Sequence, residues 1–291
     1  MAMKSEGLRI QRPAVIGAGT MGMGIVEVLA GNGFSVQVVE LSQDLFNDAL
    51  QKMDKRLLRR VEKGKMAARE REEILGRIRY VPAINNLDQV DLVIEAVVEN
   101  LAVKQEVFKD LDACTSPDTI LASNTSSLSI TGIAAKTTRP ERVLGLHFFN
   151  PVPRMALVEV VAGMATSPAL VEAVSEWIRT LGKEPVKVKD VPGFLVNRVA
   201  RPFHTEAYRI VQEGTAGKAQ VDRIIRSAGF KMGPFELQDL IGIDINYAAS
   251  VSVYEGYFHD PRFRPHFVQQ RMVESGALGR KTGKGHYSYE S

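Results

Sequence analysis

The feature that most constrains this chain is a glycine-rich turn set between a strand-like run and a helix-like one. Gly17-Ala18-Gly19-Thr20-Met21-Gly22 follows the apolar run Pro13 to Ile16 and opens a helical stretch near Met21 to Ala30. The next strand-like run ends at Glu40, eighteen residues beyond Gly22. In that setting Gly17 permits a tight turn, Gly19 lets the backbone approach a pyrophosphate, and Gly22, helped by Gly24, lets the helix sit close on the sheet. The helix N-terminus, with Thr20 and Met21 in its first turn, then faces the anion's charge. A bare Gly-x-Gly-x-x-Gly is weak evidence, because glycine-rich turns are common. Strand, helix and acid in register point to a dinucleotide. Glu40 is placed to hydrogen-bond the adenosine ribose and to repel a 2′-phosphate, and neither Leu41 nor Ser42 offers a cation to accept one, which favours NAD over NADP. A solvated strand-end carboxylate would look the same in sequence.

Short β-branched runs alternate with helical stretches over the first two-thirds of the chain, the pattern of a mostly parallel sheet covered by helices. Predicted strands are Pro13 to Ile16, Ser35 to Glu40, Asp91 to Ala96, Thr119 to Ser123, Val143 to Phe148, Leu157 to Val161 and Val186 to Lys189; predicted helices lie near Met21 to Ala30, Leu45 to Lys63, Leu101 to Asp112 and Ala169 to Leu181. After Asp190 the pattern becomes helical, over Phe194 to Gln212, Lys218 to Ser227, Pro234 to Tyr254 and Arg262 to Glu274, until a last strand-like run at His286 to Tyr289. The expectation is an α/β fold: a Rossmann-like, NAD-binding domain over residues 1–189, then an all-helical domain over 190–291 that walls the substrate cleft. The 291 residues, 45% apolar and 24% charged, suffice for two such cores.

In an open parallel sheet, ligands bind outside the carboxyl ends of the strands. Besides the glycine turn, polar residues gather there in three places: Glu95 with Glu99-Asn100-Leu101, Ser123-Asn124-Thr125-Ser126-Ser127, and His147-Phe148-Phe149-Asn150-Pro151. His147 and Glu159 are equidistant from Pro153. A chain folding back there would oppose them on adjacent strands, with Cβ atoms about 4.5 to 5.5 Å apart. A histidine so held is oriented, has one tautomer fixed and is a better general base. Spacing alone fits equally well a core histidine satisfied by a structural glutamate.

Read in order, Ser123-Asn124-Thr125-Ser126-Ser127-Leu128, His147-Phe148-Phe149-Asn150-Pro151-Val152-Pro153, Leu157-Val158-Glu159-Val160-Val161 and Gly193-Phe194-Leu195-Val196-Asn197-Arg198 resemble the 3-hydroxyacyl-CoA dehydrogenase family, including 3-hydroxybutyryl-CoA dehydrogenases. The resemblance covers nearly the whole chain and extends to Gly233-Pro234-Phe235-Glu236-Leu237 with Asp239 and to the closing Gly279-Arg280-Lys281-Thr282-Gly283-Lys284-Gly285. It implies that His147 takes the proton of the substrate's C3 hydroxyl as hydride leaves for NAD, and that Glu159 holds the imidazole. It also implies that Ser126 and Asn197 hydrogen-bond the reacting oxygen and the acyl group, and that Glu99, Lys104 and Asn150 lie by the cofactor. The chemistry is then NAD-dependent oxidation of (3S)-3-hydroxyacyl-CoA, in a homodimer and without a metal. Taken alone, Ser126 would read as a helix cap, Asn197 as a packing residue and Lys104 as half of a surface salt bridge.

Between Lys52 and Arg71 nine Lys and Arg stand against three acids, and Lys52, Arg56, Arg59 and Lys63 recur at helical spacing. The resemblance places a helical pair after the second strand beside CoA, which assigns Lys52, Arg56 and Arg59 to its phosphates; a solvated basic face is the other explanation. Arg154 and Ala156 flanking Met155, His204-Thr205 and His286 depart from the family pattern. The stretch from Asn197 to Phe203 looks most like members working on longer or dicarboxylic chains such as 3-hydroxyadipyl-CoA, and Arg154 is placed to pair with a distal carboxylate. Rival readings are a gulonate-type sugar-acid dehydrogenase and a noncatalytic, crystallin-like NAD-binding protein. A net charge of +3, with no aromatics interleaved in the basic run, argues against nucleic acid. The single cysteine, Cys114, fits a reducing cytoplasm. No signal peptide and no membrane span are read, since no apolar run approaches about 18 residues.

Overall fold

The computed structural model describes residues 9–289. Contacts divide the chain into two compact units, Met1–Asp190 and Val191–Ser291.

The first unit is built on one sheet of eight strands: β1 (Pro13–Ile16), β2 (Val36–Val39), β3 (Ile78–Val81), β4 (Leu92–Glu95), β5 (Ile120–Ser123), β6 (Val143–Phe148), β7 (Leu157–Ala162) and β8 (Glu184–Lys189). Their order is β3-β2-β1-β4-β5-β6-β7-β8, parallel throughout except where β6 and β7 pair antiparallel. Helices α1 (Thr20–Gly31), α2 (Gln43–Glu62), α3 (Ala68–Gly76), α4 (Leu101–Cys114), α5 (Ile130–Ala134) and α6 (Pro168–Thr180) connect them. Every residue of β1, β4, β5 and β6 is buried, as expected of strands covered on both faces. The strand order reverses beside β1, where β2 lies on one side and β4 on the other, which brings the ends of β1, β4, β5 and β6 to one edge.

Strand β3 and helix α3 are not among the runs read from apolar periodicity, although the resemblance implies a helical pair after the second strand. Edge strand β3 is short, contains Arg79 and has a single buried residue, Val81, so it lacks an apolar run to announce it. Helix α3, with the sequence AREREEILG, buries only Ile74.

The second unit is helical: α7 (Val196–Gln212), α8 (Lys218–Ser227), α9 (Pro234–Ile241), α10 (Ile243–Gly256) and α11 (Phe267–Glu274), around Ala207, Tyr208, Val221 and Phe235. Three expectations need correction. The stretch Pro234 to Tyr254 is two helices, because Gly242 stands at φ 111°, outside helical space. Arg262 to Glu274 is a single 3₁₀ turn, Pro261–Phe263, followed by α11. No named strand forms at His286 to Tyr289 among the described residues; an isolated bridge joins Lys284 to Ser288. That segment is held instead by Asp239, which accepts the His286 and Tyr287 N–H groups and the Tyr289 hydroxyl at 2.8, 3.0 and 2.9 Å.

Candidate active site

Steric limits shape the turn after β1. Gly17 adopts φ 97°, where L side chains rarely go, and a Cβ there would meet the Ala96 carbonyl oxygen at 2.9 Å. A Cβ on Gly22 would lie 1.9 Å from the Gly17 carbonyl oxygen, so α1 closes on the turn only because position 22 is bare. At Gly19 a Cβ would meet nothing within 4 Å, so this glycine leaves space open above the helix start. Among the described residues, no side chain caps α1 and no acid stands in its first turn, which leaves the first-turn N–H groups for an anion.

Glu40 accepts the Ala18 N–H at 2.8 Å through Oε2 and the Leu41 N–H at 2.7 Å through Oε1. It is therefore tied to the turn, unlike a solvated strand-end carboxylate. Gly17, Gly19, Thr20, Met21 and Glu40 line a cleft of about 1060 Å³, closed on the far wall by apolar residues such as Val97, Val103 and Val107. No Lys or Arg lines it among the described residues. A glycine cradle, an uncapped helix start and an anchored carboxylate without a cation fit NAD and offer nothing to a 2′-phosphate.

A second cavity of about 320 Å³ shares Met21, Ala96 and Val97 with this cleft and adds Glu99, Lys104, Asn124, Ser126, His147 and Asn150 to the walls. Antiparallel pairing of β6 with β7 sets His147 opposite Glu159. His147 Nδ1 lies 2.6 Å from Glu159 Oε2, and the glutamate is fully buried. A carboxylate at that distance fixes the ring proton on Nδ1. Asn124 Oδ1 accepts the Phe148 N–H at 2.9 Å, stitching the end of β6 to that of β5.

In the cavity wall, Lys104 is only 1% exposed and pairs with the fully buried Glu95 at 2.6 Å. It is no surface salt bridge. Glu99 Oε1 accepts the Thr125 hydroxyl at 2.6 Å, the Ser126 N–H at 2.9 Å and the Ser126 hydroxyl at 3.2 Å, while Oε2 lies 3.4 Å from Lys104 Nζ. Desolvation works against the Glu99 charge, but the Thr125 hydroxyl, the Lys104 ammonium and the Ser126 N–H outweigh it and hold the carboxyl below the usual range. Ser126 does not cap the following helix; Ser129 does, accepting the Gly132 N–H at 3.1 Å.

Asn197 stands on α7 in the second unit, where its carbonyl accepts Arg201 Nε–H at 3.3 Å. Lys52, Arg56 and Arg59 are exposed on α2. Arg56 pairs with the buried Glu27 at 3.0 Å, whereas Lys52 and Arg59 have no ion-pair partner among the described residues. Glu95 and Asn124 had no assigned role in the sequence reading. The available signal was an ionisable residue closing an otherwise apolar strand, and an amide directly after one.

A nucleotide cradle at the sheet's switch point, opening beside a histidine held by a buried carboxylate, defines an NAD-binding dehydrogenase architecture. Residues 12–191 match the 3-hydroxyacyl-CoA dehydrogenase NAD binding domain and residues 193–289 the C-terminal domain of the same family. The chain belongs to the 3-hydroxyacyl-CoA dehydrogenase family. It is 46% identical to the 3-hydroxyadipyl-CoA dehydrogenase of Escherichia coli K12, over 98% of this chain and 60% of that relative, so it spans well under two-thirds of the relative's length. It is 43% identical to the 3-hydroxybutyryl-CoA dehydrogenase of Clostridioides difficile, over 95% of this chain and 98% of the relative. The crystal structure of (S)-3-hydroxybutyryl-CoA dehydrogenase from Ralstonia eutropha superposes with a TM-score of 0.92 at 39% identity, covering 97% of this chain and 100% of that one.

Proposed function

We propose that this chain catalyses NAD-dependent oxidation of (3S)-3-hydroxyacyl-CoA to 3-ketoacyl-CoA, and the reverse reduction. The observation that carries the reading is the 2.6 Å contact between His147 and Glu159 at a cavity that shares walls with the glycine-turn cleft. In this reading Nε2 of His147 takes the C3 hydroxyl proton, and Glu159 stabilises the imidazolium that results. Ser126 donates to the reacting oxygen and Asn197 to the acyl group, fixing geometry. Bound NAD supplies the hydride acceptor; the residues here place it and manage the proton. Gly17, Gly19, Thr20, Met21, Gly22 and Glu40 hold its adenosine and pyrophosphate, and Glu99, Lys104 and Asn150 its nicotinamide end.

The relatives' names and the basic face of α2 support a CoA thioester substrate, with Lys52 and Arg59 on its phosphates and Arg56 divided between CoA and Glu27. Exposed Arg154 is the candidate partner for the distal carboxylate of a dicarboxylic chain. A homodimer and a reducing, cytoplasmic setting complete the reading. Among the described residues, no helix is long and apolar enough to cross a membrane.

The test follows NADH absorbance with a ladder of 3-ketoacyl-CoA substrates, one of them dicarboxylic, beside free sugar acids. Turnover of the thioesters alone, weakening as salt rises, is the expected result. Turnover of sugar acids only, or NAD binding with no turnover, would transfer the chain to one of the rival readings.

A further inference from the structure

Three ionisable side chains meet where β4 ends. Glu95 is sealed from solvent: Oε1 lies 2.6 Å from Lys104 Nζ and accepts the Val97 N–H at 2.7 Å, and Oε2 accepts the Ser123 hydroxyl at 2.6 Å. Thr125 N–H donates to Ser123 Oγ at 3.2 Å and the Thr125 hydroxyl to Glu99 at 2.6 Å, so hydrogen bonds run from the sealed carboxylate to the cavity rim. Lys104 also reaches Glu99, at the longer distance of 3.4 Å.

Two carboxylates and one ammonium leave one negative charge. Because the shorter contact and the complete burial belong to Glu95, that charge falls on Glu99, whose side chain is 39% exposed and lines the cavity. If Glu95 were neutral, Lys104 would compensate Glu99 instead, and the cavity would carry no net charge. A charge at a low-dielectric wall discriminates between ligands that differ by one charge. The two cofactor forms differ in that way: the oxidised nicotinamide ring is cationic, and arrival of a hydride makes it neutral.

We propose that Glu95 is a positioning residue which neutralises Lys104 so that Glu99 remains an uncompensated anion, and that this arrangement makes the cavity select NAD⁺ over NADH. The proposal rests on the reading above that places the nicotinamide in this cavity.

The test measures the dissociation constants of NAD⁺ and NADH on the full chain by calorimetry, without turnover. In Glu95→Gln the ratio Kd(NADH)/Kd(NAD⁺) is expected to fall about tenfold, the change that one charge makes a few ångströms away in a partly screened site. In the double variant Glu95→Gln, Lys104→Met the pair leaves as a neutral unit, and the ratio is expected to return to within about twofold of the wild type, since buried pairs often tolerate such isosteric replacement. Glu99→Gln removes the anion directly and carries the same tenfold expectation if Glu95→Gln does not fold. Parallel loss of both affinities with an unchanged ratio, or a double variant that fails to restore it, overturns the proposal and leaves Glu95 a packing residue. A wild-type chain that binds neither form sinks the reading of the cavity itself, a result distinct from binding with an unresponsive ratio.

Discussion

Glu159 is fully buried and directs Oε2 to the imidazole of His147 at 2.6 Å. An amide of the same size keeps the volume but loses the charge that stabilises an imidazolium. Glu159→Gln is therefore expected to lower kcat by about two to three orders of magnitude while NAD affinity stays within about twofold. Steady-state kinetics and cofactor titration on one sample check this; a kcat within threefold of wild type would take Glu159 out of the chemistry. The pairing was legible because hairpin symmetry about Pro153 converts spacing into register. The setting of Lys104 was not, because a lysine on an amphipathic helix reads the same whether its ammonium meets water or a sealed carboxylate. Arg56 is comparable: its helical spacing shows the face it shares with Lys52 and Arg59 but not that Glu27, from α1, already engages it.

At the scale of the element, the turn into α1 separates two uses of glycine. Position 22 is bare for packing, since a Cβ would collide with the Gly17 carbonyl at 1.9 Å, whereas position 19 has open space around it. Gly22→Ala is expected to lower the melting temperature and to weaken NAD binding at least tenfold. Gly19→Ala should melt with the wild type, its φ of −67° being ordinary for alanine, yet lose cofactor affinity because the new methyl group occupies the cradle. Thermal melts paired with NAD titration decide it, and equal stability loss in both variants would refute the distinction. Strong elements such as β1 and β6 were readable from their apolar runs. Strand β3 and helix α3 were not, because each buries a single residue, Val81 and Ile74, and gains its place by pairing or packing with a neighbour.

For the molecule as a whole, the two units are expected to respond differently to acid. In the second, burial and the nearby charge of Arg201 hold the His204 pKa down to about 3, and burial lowers that of His286. Both values lie below the unfolded value of about 6.5. The unfolded chain thus binds protons that the folded one refuses, so this stability is complete above pH 6.5 and declines as pH falls toward the folded pKa. Taking the full chain from pH 7.5 to 5.5 should cost the helical unit about 3 kcal/mol. Trp177, the single tryptophan, lies on α6 of the first unit, so its fluorescence reports that unit alone, while far-UV dichroism sums the helices of both and includes the second. Equal displacement of both denaturation curves would contradict the expectation. Apolar periodicity, glycine spacing and polar strand ends sufficed by themselves to specify an α/β sheet with a nucleotide turn and a histidine facing a glutamate, because backbone sterics and side-chain alternation act over a few residues. Which carboxylate sealed Lys104, which arginine stayed open to solvent and which histidines were driven neutral were settled only by tertiary structure, because ion pairing and desolvation depend on distance in space between residues far apart along the chain.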